Sequence, residues 1–126
     1  MSTRANIHFE QYGGLQANVY RHSDGYPAGL GRDLETFLDD VAANVQDTRF
    51  DDAEYLAAKF LVWQAQRYAR KLIHAGGGEW TYEPAHPLDF LGVSPCIEDH
   101  GDIEYRYRVR CTGTERPTVT WEEVKG

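Results

Sequence analysis

The period of the apolar residues changes along the chain, and this change constrains the fold more than any other feature. Near the N-terminus, Ala5, Ile7 and Phe9 alternate with polar residues, as in a strand that buries one face. In the middle, apolar residues recur at helical spacing, as on the buried side of an amphipathic helix. Alternation returns over residues 103–111, the clearest strand of the chain. Strands on both sides of a helical pair predict an α+β fold.

Residues 4–22 are predicted to form a β-hairpin. A second alternating run, Leu15, Ala17 and Val19, follows the first strand. The pair Gly13-Gly14 lies between the two runs and tolerates the positive φ that a tight turn requires.

Two amphipathic helices are predicted next. The first follows the apolar stripe from Leu30 to Val45. The second runs from about Asp52 to His74, with acids near its start and bases near its end, which complements the helix dipole. Gly76-Gly77-Gly78 is predicted to end it.

Two further strands complete the prediction. A short strand is expected near residues 90–98, and a last strand from Thr118 to Val124 with Val119 and Trp121 on its apolar face. The order ββααβββ predicts a single domain over residues 1–126. We expect a two-layer α+β fold, with an antiparallel or mixed sheet of about five strands and two helices on one face.

The charge of the chain limits its partners. It has 13 Lys and Arg against 20 Asp and Glu, a formal charge of −7. Residues 79–100 contain acidic residues and no Lys or Arg, so the negative charge concentrates there. Since an acidic domain repels the phosphate backbone, no nucleic-acid partner is expected. No apolar run reaches the roughly 20 residues that span a bilayer, so no membrane contact is expected either.

Few residues match a known catalytic or metal-binding pattern. Cys96 and Cys111 are predicted to be reduced, buried structural thiols. The histidines lack zinc-ligand spacing, and the donor-rich stretch 98–102 is best explained as a solvated turn. Because nucleophile elbows and phosphate-binding loops are also missing, we predict no metal, no cofactor and no assigned catalytic residue.

The densest set of functional side chains lies in the segment 21–27. Arg21 offers a guanidinium fork for a phosphate or carboxylate. His22 and Asp24 are candidates for an acid/base pair, and Tyr26 for stacking on a base. The alternative is a purely structural turn in which Arg21 forms a salt bridge with Asp24.

A second basic group lies on the strand 103–111. Arg106, Arg108 and Arg110 share one of its faces, and a basic stripe of this kind suits a phosphate-bearing ligand. Arg106 and Arg108 therefore join the candidate ligand-binding residues. The alternative is cross-strand pairing with acids such as Glu122 or Glu98.

Several segments resemble a family of small proteins from bacteriophage and prophage genomes. The resemblance is carried by Ser2-Thr3-Arg4-Ala5-Asn6-Ile7, Tyr20-Arg21-His22-Ser23-Asp24-Gly25-Tyr26-Pro27, Gly92-Val93-Ser94-Pro95 and Asp102-Ile103-Glu104-Tyr105-Arg106-Tyr107. It implies a virus-associated accessory protein in the cytoplasm of a bacterial host, one that serves to evade host defence. It implies no activity and no residue role.

We therefore expect a non-enzymatic binding protein that acts on a host component by sequestering a small phosphorylated, nucleotide-like ligand. One alternative is an acidic protein–protein inhibitor of a host factor that uses residues 79–100. Another is a small enzyme with His22 and Asp24 as acid and base. The partner is thus a small anionic ligand or a host protein. Trp63, Trp80 and Trp121 leave a symmetric homodimer open.

Overall fold

Two α-helices pack on a mixed sheet, and a separate two-stranded hairpin follows the second helix. The computed structural model describes residues 2–74 and 76–124. The helices are α1 (Arg32–Asn44) and α2 (Ala53–Tyr68). The strands, in chain order, are β1 (Ala5–Gln11), β2 (Gly14–Arg21), β3 (Arg70–His74), β4 (Trp80–Pro84), β5 (Val93–Pro95), β6 (Tyr105–Cys111) and β7 (Thr118–Glu123).

The main sheet has the order β5-β2-β1-β6-β7. The central strand β1 is antiparallel to β2 and parallel to β6. The outer pairs, β2 with β5 and β6 with β7, are antiparallel. The sheet is therefore mixed, and the predicted α+β class with about five strands in the main sheet and two helices is confirmed.

The turn between β1 and β2 lies one residue earlier than predicted. Tyr12 and Gly13 take φ values of 57° and 74°, as the central residues of a type I′ turn do, and Gly14 already belongs to β2. A bulge skips Gln16, so that Leu15 pairs with Glu10. Leu15 thereby moves to the outer face and is exposed, contrary to the predicted alternation.

The apolar core lies between the helices and the odd-numbered face of β1. Ile7 and Phe9 are fully buried. The Phe9 ring lies 6.2 Å from that of Phe60 on α2, which in turn lies 5.3 Å from that of Phe37 on α1. Burial of each such side chain contributes about 1.5–3 kcal/mol, which makes this the main apolar contact between the layers.

Helix α1 begins at Arg32, two positions after the predicted start, because residues Pro27–Gly31 form a π-helical turn. Leu30 is buried within this turn, and its amide donates to the Asp24 carbonyl at 2.8 Å. The buried Tyr107 hydroxyl on β6 donates to the Gly25 carbonyl at 2.7 Å. These bonds fix the connector between β2 and α1 against the sheet.

The predicted end of the second helix is wrong. Helix α2 stops at Tyr68, and Arg70–His74 forms β3 instead. Ala69 has an extended ψ of 130°, and β3 then pairs antiparallel with β4, with a Lys71–Glu83 salt bridge of 3.1 Å. The glycine triplet forms the turn of this hairpin, since Gly77 and Gly78 have φ values of 97° and 91°.

The C-terminal strands follow the prediction with shorter bounds. The strand expected near 90–98 is β5, and the last strand ends at Glu123. Trp121, expected on an apolar face, is half-exposed because β7 is an edge strand. Among the described residues, no helix has the length and apolar character needed to cross a membrane.

A substitution in the connector 27–31 tests how closely this segment packs against Asp24. A Cβ at Gly29 would overlap the Asp24 carbonyl oxygen, so Gly29→Ala should lower the free energy of unfolding by about 1–3 kcal/mol in urea denaturation. Gly76→Ala is the matched control, because a Cβ at Gly76 meets nothing within 4 Å. Equal losses for the two variants would contradict this account of the connector.

Candidate functional site

Arg21 is a structural residue that joins β2 to both helices. Its side chain is 5% exposed, and its Nη1 donates to Asp33 on α1 at 2.7 Å and to Gln64 on α2 at 3.3 Å. Its Nε donates to the Ser23 carbonyl at 2.9 Å. The alternative interpretation, a structural turn, predicted a salt bridge between Arg21 and Asp24. The salt bridge forms with Asp33 instead. The Arg21 guanidinium therefore already forms a salt bridge with a carboxylate of the fold.

The predicted acid/base pair does not form. The hydroxyl of Tyr20 lies 3.3 Å from His22 Nδ1, and the Asp24 carboxylate accepts a long bond of 3.4 Å from the Tyr26 hydroxyl. Within the described part of the chain, no hydrogen bond joins His22 to Asp24. Asp24 has a φ of 53°, which fits the structural role of a turn residue.

Arg106 and Arg108 belong to a row of alternating charges on the outer face of the sheet. The Glu122 carboxylate on β7 accepts from Arg106 at 2.9 Å and from Arg108 at 2.8 Å. Glu10 on β1 lies 3.3 Å from Arg108 and 3.0 Å from Arg110. The pairing predicted as the alternative is thus present for Glu122, with Glu10 in place of Glu98.

The predicted ligand residues do not share one surface. Ala5 of β1 pairs with Arg21, and Asn6 pairs with Arg106. Since neighbouring residues of a strand point to opposite faces, Arg21 lies on the helix side of the sheet and Arg106 on the outer side. The structure therefore separates Arg21 from the arginines of β6.

Asp99 is the centre of the outer row. Its carboxylate lies 2.6 Å from His8 Nε2 and accepts from Asn18 at 2.9 Å and Arg106 at 2.7 Å. Burial by itself would raise the pKa of Asp99, but these hydrogen bonds outweigh it and lower the pKa from 3.8 to about 2. Asp99 thus links β1, β2 and β6 through its negative charge.

The loop carrying Asp99 covers this face of the sheet through polar contacts. Asn6, fully buried, donates to Asn18 at 2.8 Å and to the Cys96 thiol at 3.1 Å, and accepts from the His100 amide at 3.0 Å. The His100 ring stacks on Tyr20 with centroids 3.7 Å apart. The stretch 98–102 is the largely exposed turn that was predicted, and Asp99 and His100 attach it to the sheet.

Both cysteines are free thiols. Cys111 is buried, and this burial, followed by the charges of Asp52 and Asp51, raises the pKa of its thiol to about 11. Burial also raises the pKa of the partly buried Cys96. Such thiols are poor nucleophiles. In the described segments, no group of three or more His, Cys, Asp or Glu side chains converges as metal ligands would.

The cavities near the predicted site are small or open. The one beside Arg21 and Asp24 measures about 50 Å³, room for about one water molecule. A shallow depression of about 280 Å³ lies between Tyr20, His22 and Phe90. The first is too small for a nucleotide, and the second is lined mainly by apolar and aromatic side chains.

No family model matches the chain, and no curated protein or solved structure matches it either. The resemblance to phage proteins stays a prediction. The functional argument therefore rests on the surface of this chain alone.

A cluster of exposed aromatic side chains lies on the β3–β4 hairpin, which we call the arm (residues 70–74 and 76–84). Leu72 faces Tyr82, and His74 faces Trp80, on one side of the arm. Leu72, Trp80 and Tyr82 are 52%, 65% and 52% exposed. An Arg70 guanidinium lies 4.2 Å from the centre of the Tyr82 ring and 5.1 Å from that of Phe90. The result is a continuous, solvent-exposed aromatic face.

Three acidic residues lie close in sequence to this aromatic face. Glu79 and Asp89 are exposed, and the part of the chain that is described provides no salt bridge to either. Glu83 pairs with Lys71 on the opposite side of the arm. An exposed aromatic surface of this kind is typical of a protein-binding site.

The sequence contains a hairpin pattern that indicates this face, but the predicted second helix extends over half of it. Trp80 and Tyr82 alternate with polar residues directly after a glycine triplet, which is a hairpin pattern. The prediction assigned residues 70–74 to the second helix, and these residues form β3, the strand with which this run pairs. The aromatic face is therefore the part of the site that sequence reasoning missed.

A first prediction concerns Arg21. Arg21→Met leaves the buried Asp33 carboxylate without its cationic partner and with only the Tyr68 hydroxyl as a donor, so the free energy of unfolding should fall by roughly 3–5 kcal/mol. The double variant Arg21→Met/Asp33→Leu should recover much of this loss in urea denaturation. Asp24→Asn is the control, with a change of at most about 0.5 kcal/mol. A stable Arg21→Met variant would contradict the structural role.

A second prediction concerns pH. Because folding lowers the pKa of Asp99 from 3.8 to about 2, its contribution is present above the unfolded value and is lost as the pH falls through the folded one. Asp99→Asn should cost about 2 kcal/mol at neutral pH, and its difference from the wild type should vanish near pH 2. Urea midpoints measured across this range test it.

The neighbouring Glu98→Gln variant is the control for that series, because Glu98 is exposed and the described residues form no salt bridge with it. Its stability should follow the wild type at every pH. A constant difference between Asp99→Asn and the wild type down to pH 2 would show that the carboxylate charge is not what stabilises this face.

Proposed function

We propose that this protein is a non-catalytic binding protein that holds a protein partner on the aromatic face of the arm. The observation that carries the proposal is the exposure of Leu72, Trp80 and Tyr82 on one side of the β3–β4 hairpin. Exposed aromatic side chains clustered in this way contribute most of the energy in protein interfaces once a partner covers them.

The charge around the arm defines the partner's chemistry. The exposed Glu79 and Asp89 directly precede Trp80 and Phe90 in the chain, and the whole chain has a formal charge of −7. A complementary surface is apolar at its centre and basic at its rim, since charge complementarity speeds association and rejects acidic surfaces. Under the phage resemblance, the partner is a host protein whose action the chain blocks.

A phosphorylated small ligand has weaker support. The arginines expected to bind it, Arg21, Arg106 and Arg108, already contact carboxylates within the fold. A phosphate would have to compete with Asp33, Asp99 or Glu122, and displacing the buried Asp33 carboxylate is costly. The arm requires no such rearrangement.

Site-specific photo-crosslinking in bacterial cells tests the proposal directly. A photoreactive phenylalanine analogue at position 82 should yield one discrete adduct with a bacterial protein, and the same analogue at position 12 should not. Tyr12 is a fitting control because it is also exposed, at 88%, and lies at the β1–β2 turn away from the arm. Equal adduct patterns at both positions would contradict the proposal.

The partner identified in the adduct then allows a quantitative test with purified proteins. Trp80→Ser should weaken binding about 30-fold or more, as loss of a central aromatic residue does, and Tyr12→Ser should leave it unchanged. Glu79→Lys/Asp89→Lys should lower the association rate and the salt dependence of binding. An unchanged Kd for Trp80→Ser would place the contact elsewhere.

A further inference from the structure

The free edge of β7 is a second feature that the arm does not explain. β7 pairs with β6 on one side and is the last strand of the main sheet. At the other edge, β5 has three residues and ends at Pro95, so it offers little backbone for pairing. β7 has six residues, and in the described part of the chain no strand lies beyond it.

This edge lacks the usual protection against pairing. Edge strands commonly carry proline, lysine or a bulge that prevents another strand from adding to them. The segment Thr118–Glu123 contains no proline and no Lys or Arg, and its register with β6 is unbroken. Thr118, Val119, Thr120 and Trp121 all favour extended structure.

The two charged residues, Glu122 and Glu123, lie at the C-terminal end of the strand, and each accepts a hydrogen bond from a residue of β6. Glu122 points along the outer face of the sheet toward β6, where Arg106 and Arg108 bind its carboxylate. These hydrogen bonds also lower the pKa of Glu122, so it stays ionised and paired. Its charge is therefore directed away from the free edge.

We propose that β7 pairs antiparallel with β7 of a second copy of this chain, with Thr120 on the two-fold axis. A two-fold axis perpendicular to a sheet keeps each residue on its own face. Residues opposite one another must therefore both be odd-numbered or both even-numbered. In this register, Trp121 of each copy lies opposite Val119 of the other copy. Both of these pairs are on the helix side of the sheet.

Registers with the axis nearer the C-terminal end of β7 are less favourable. An axis at Trp121 would set the apolar Val119 opposite the charged Glu123. An axis at Glu122 would set two glutamates directly opposite each other, which destabilises a strand pair. With the axis at Thr120, Glu122 faces Thr118 of the second copy, and an aromatic residue faces a β-branched one. Trp121 is 52% exposed in the monomer, and the second copy would cover part of that surface.

The occupant of this edge is a second copy because the strand is complementary to itself. The same apolar pair, Val119 and Trp121, serves as both halves of the contact. The two main sheets would join into one continuous sheet, leaving both arms free. This inference does not rest on the arm, whose residues the interface does not use.

Sedimentation equilibrium of the wild-type chain over a concentration series tests the dimer. Thr120→Lys places two like charges opposite each other on the axis and should raise the dimer Kd about tenfold. Thr118→Lys is the matched control, because the same substitution on the same face of β7 lies opposite Glu122 and should keep or tighten the dimer. Circular dichroism checks that both variants are folded.

Each other outcome overturns the proposal. A wild type that is monomeric at millimolar concentration excludes the interface, and equal Kd values for wild type and Thr120→Lys place any dimer elsewhere. A tighter dimer for Thr120→Lys would move the axis to Trp121. Loss of the dimer in the Trp80→Ser variant would show that the arm forms the contact. If the arm binds no protein partner, the results expected here for β7 do not change.

Oxidative crosslinking provides a measurement that does not depend on a destabilised variant. Thr120→Cys brings two thiols to the axis, where directly opposite residues have the Cα separation that a disulfide requires. It should form a covalent dimer within the range where the wild type self-associates. Glu123→Cys lies beyond the paired segment and should remain monomeric under denaturing conditions. A crosslink at 123 and none at 120 would overturn the register.

Discussion

The buried ion pair between Arg21 and Asp33 holds the sheet to the helices. Removing two charges from water is costly, and the pair is stable because the guanidinium also donates to Gln64 and to a backbone carbonyl. One side chain thus sets the positions of β2, α1 and α2 relative to one another. The residue with the best chemistry for anion binding is used for this purpose, which is why we propose a recognition surface elsewhere on the molecule.

The strands with one buried face were predictable from the sequence. β1 and β6 alternate cleanly because the helices cover one side of each, and the apolar stripes of α1 and α2 follow from the same core. The end of the second helix was not predictable in this way. Arg70–His74 has apolar residues at a spacing compatible with a helix, and only its pairing with β4 across the glycine triplet makes it a strand. Local pattern carries no information about such a partner.

The contacts on the outer face of the sheet were likewise only partly predictable from local sequence patterns. The sequence placed Arg106 and Arg108 on one face and suggested Glu122 as their partner, because an antiparallel neighbour follows directly in the chain. Glu10 reaches Arg108 only through the parallel pairing of β1 with β6, and Asp99 reaches Arg106 only through a loop folded back over the sheet. These contacts join distant parts of the chain. Their hydrogen-bond partners nevertheless determine whether the arginines are available to a ligand.

The parallel pairing of β1 and β6 also affects how the chain is synthesised. Contacting residues such as Glu10 and Arg110 are separated by 100 positions. At ordinary translation rates, the central strand waits roughly 5–20 s after it is made before its second neighbour exists. During that time β1 has β2 on one side and an open edge on the other. Contacts this distant in sequence slow folding. Early formation of the β1–β2 hairpin, with its tight turn, therefore protects one edge of β1, while the outer edge of β2 stays open until β5 has been made.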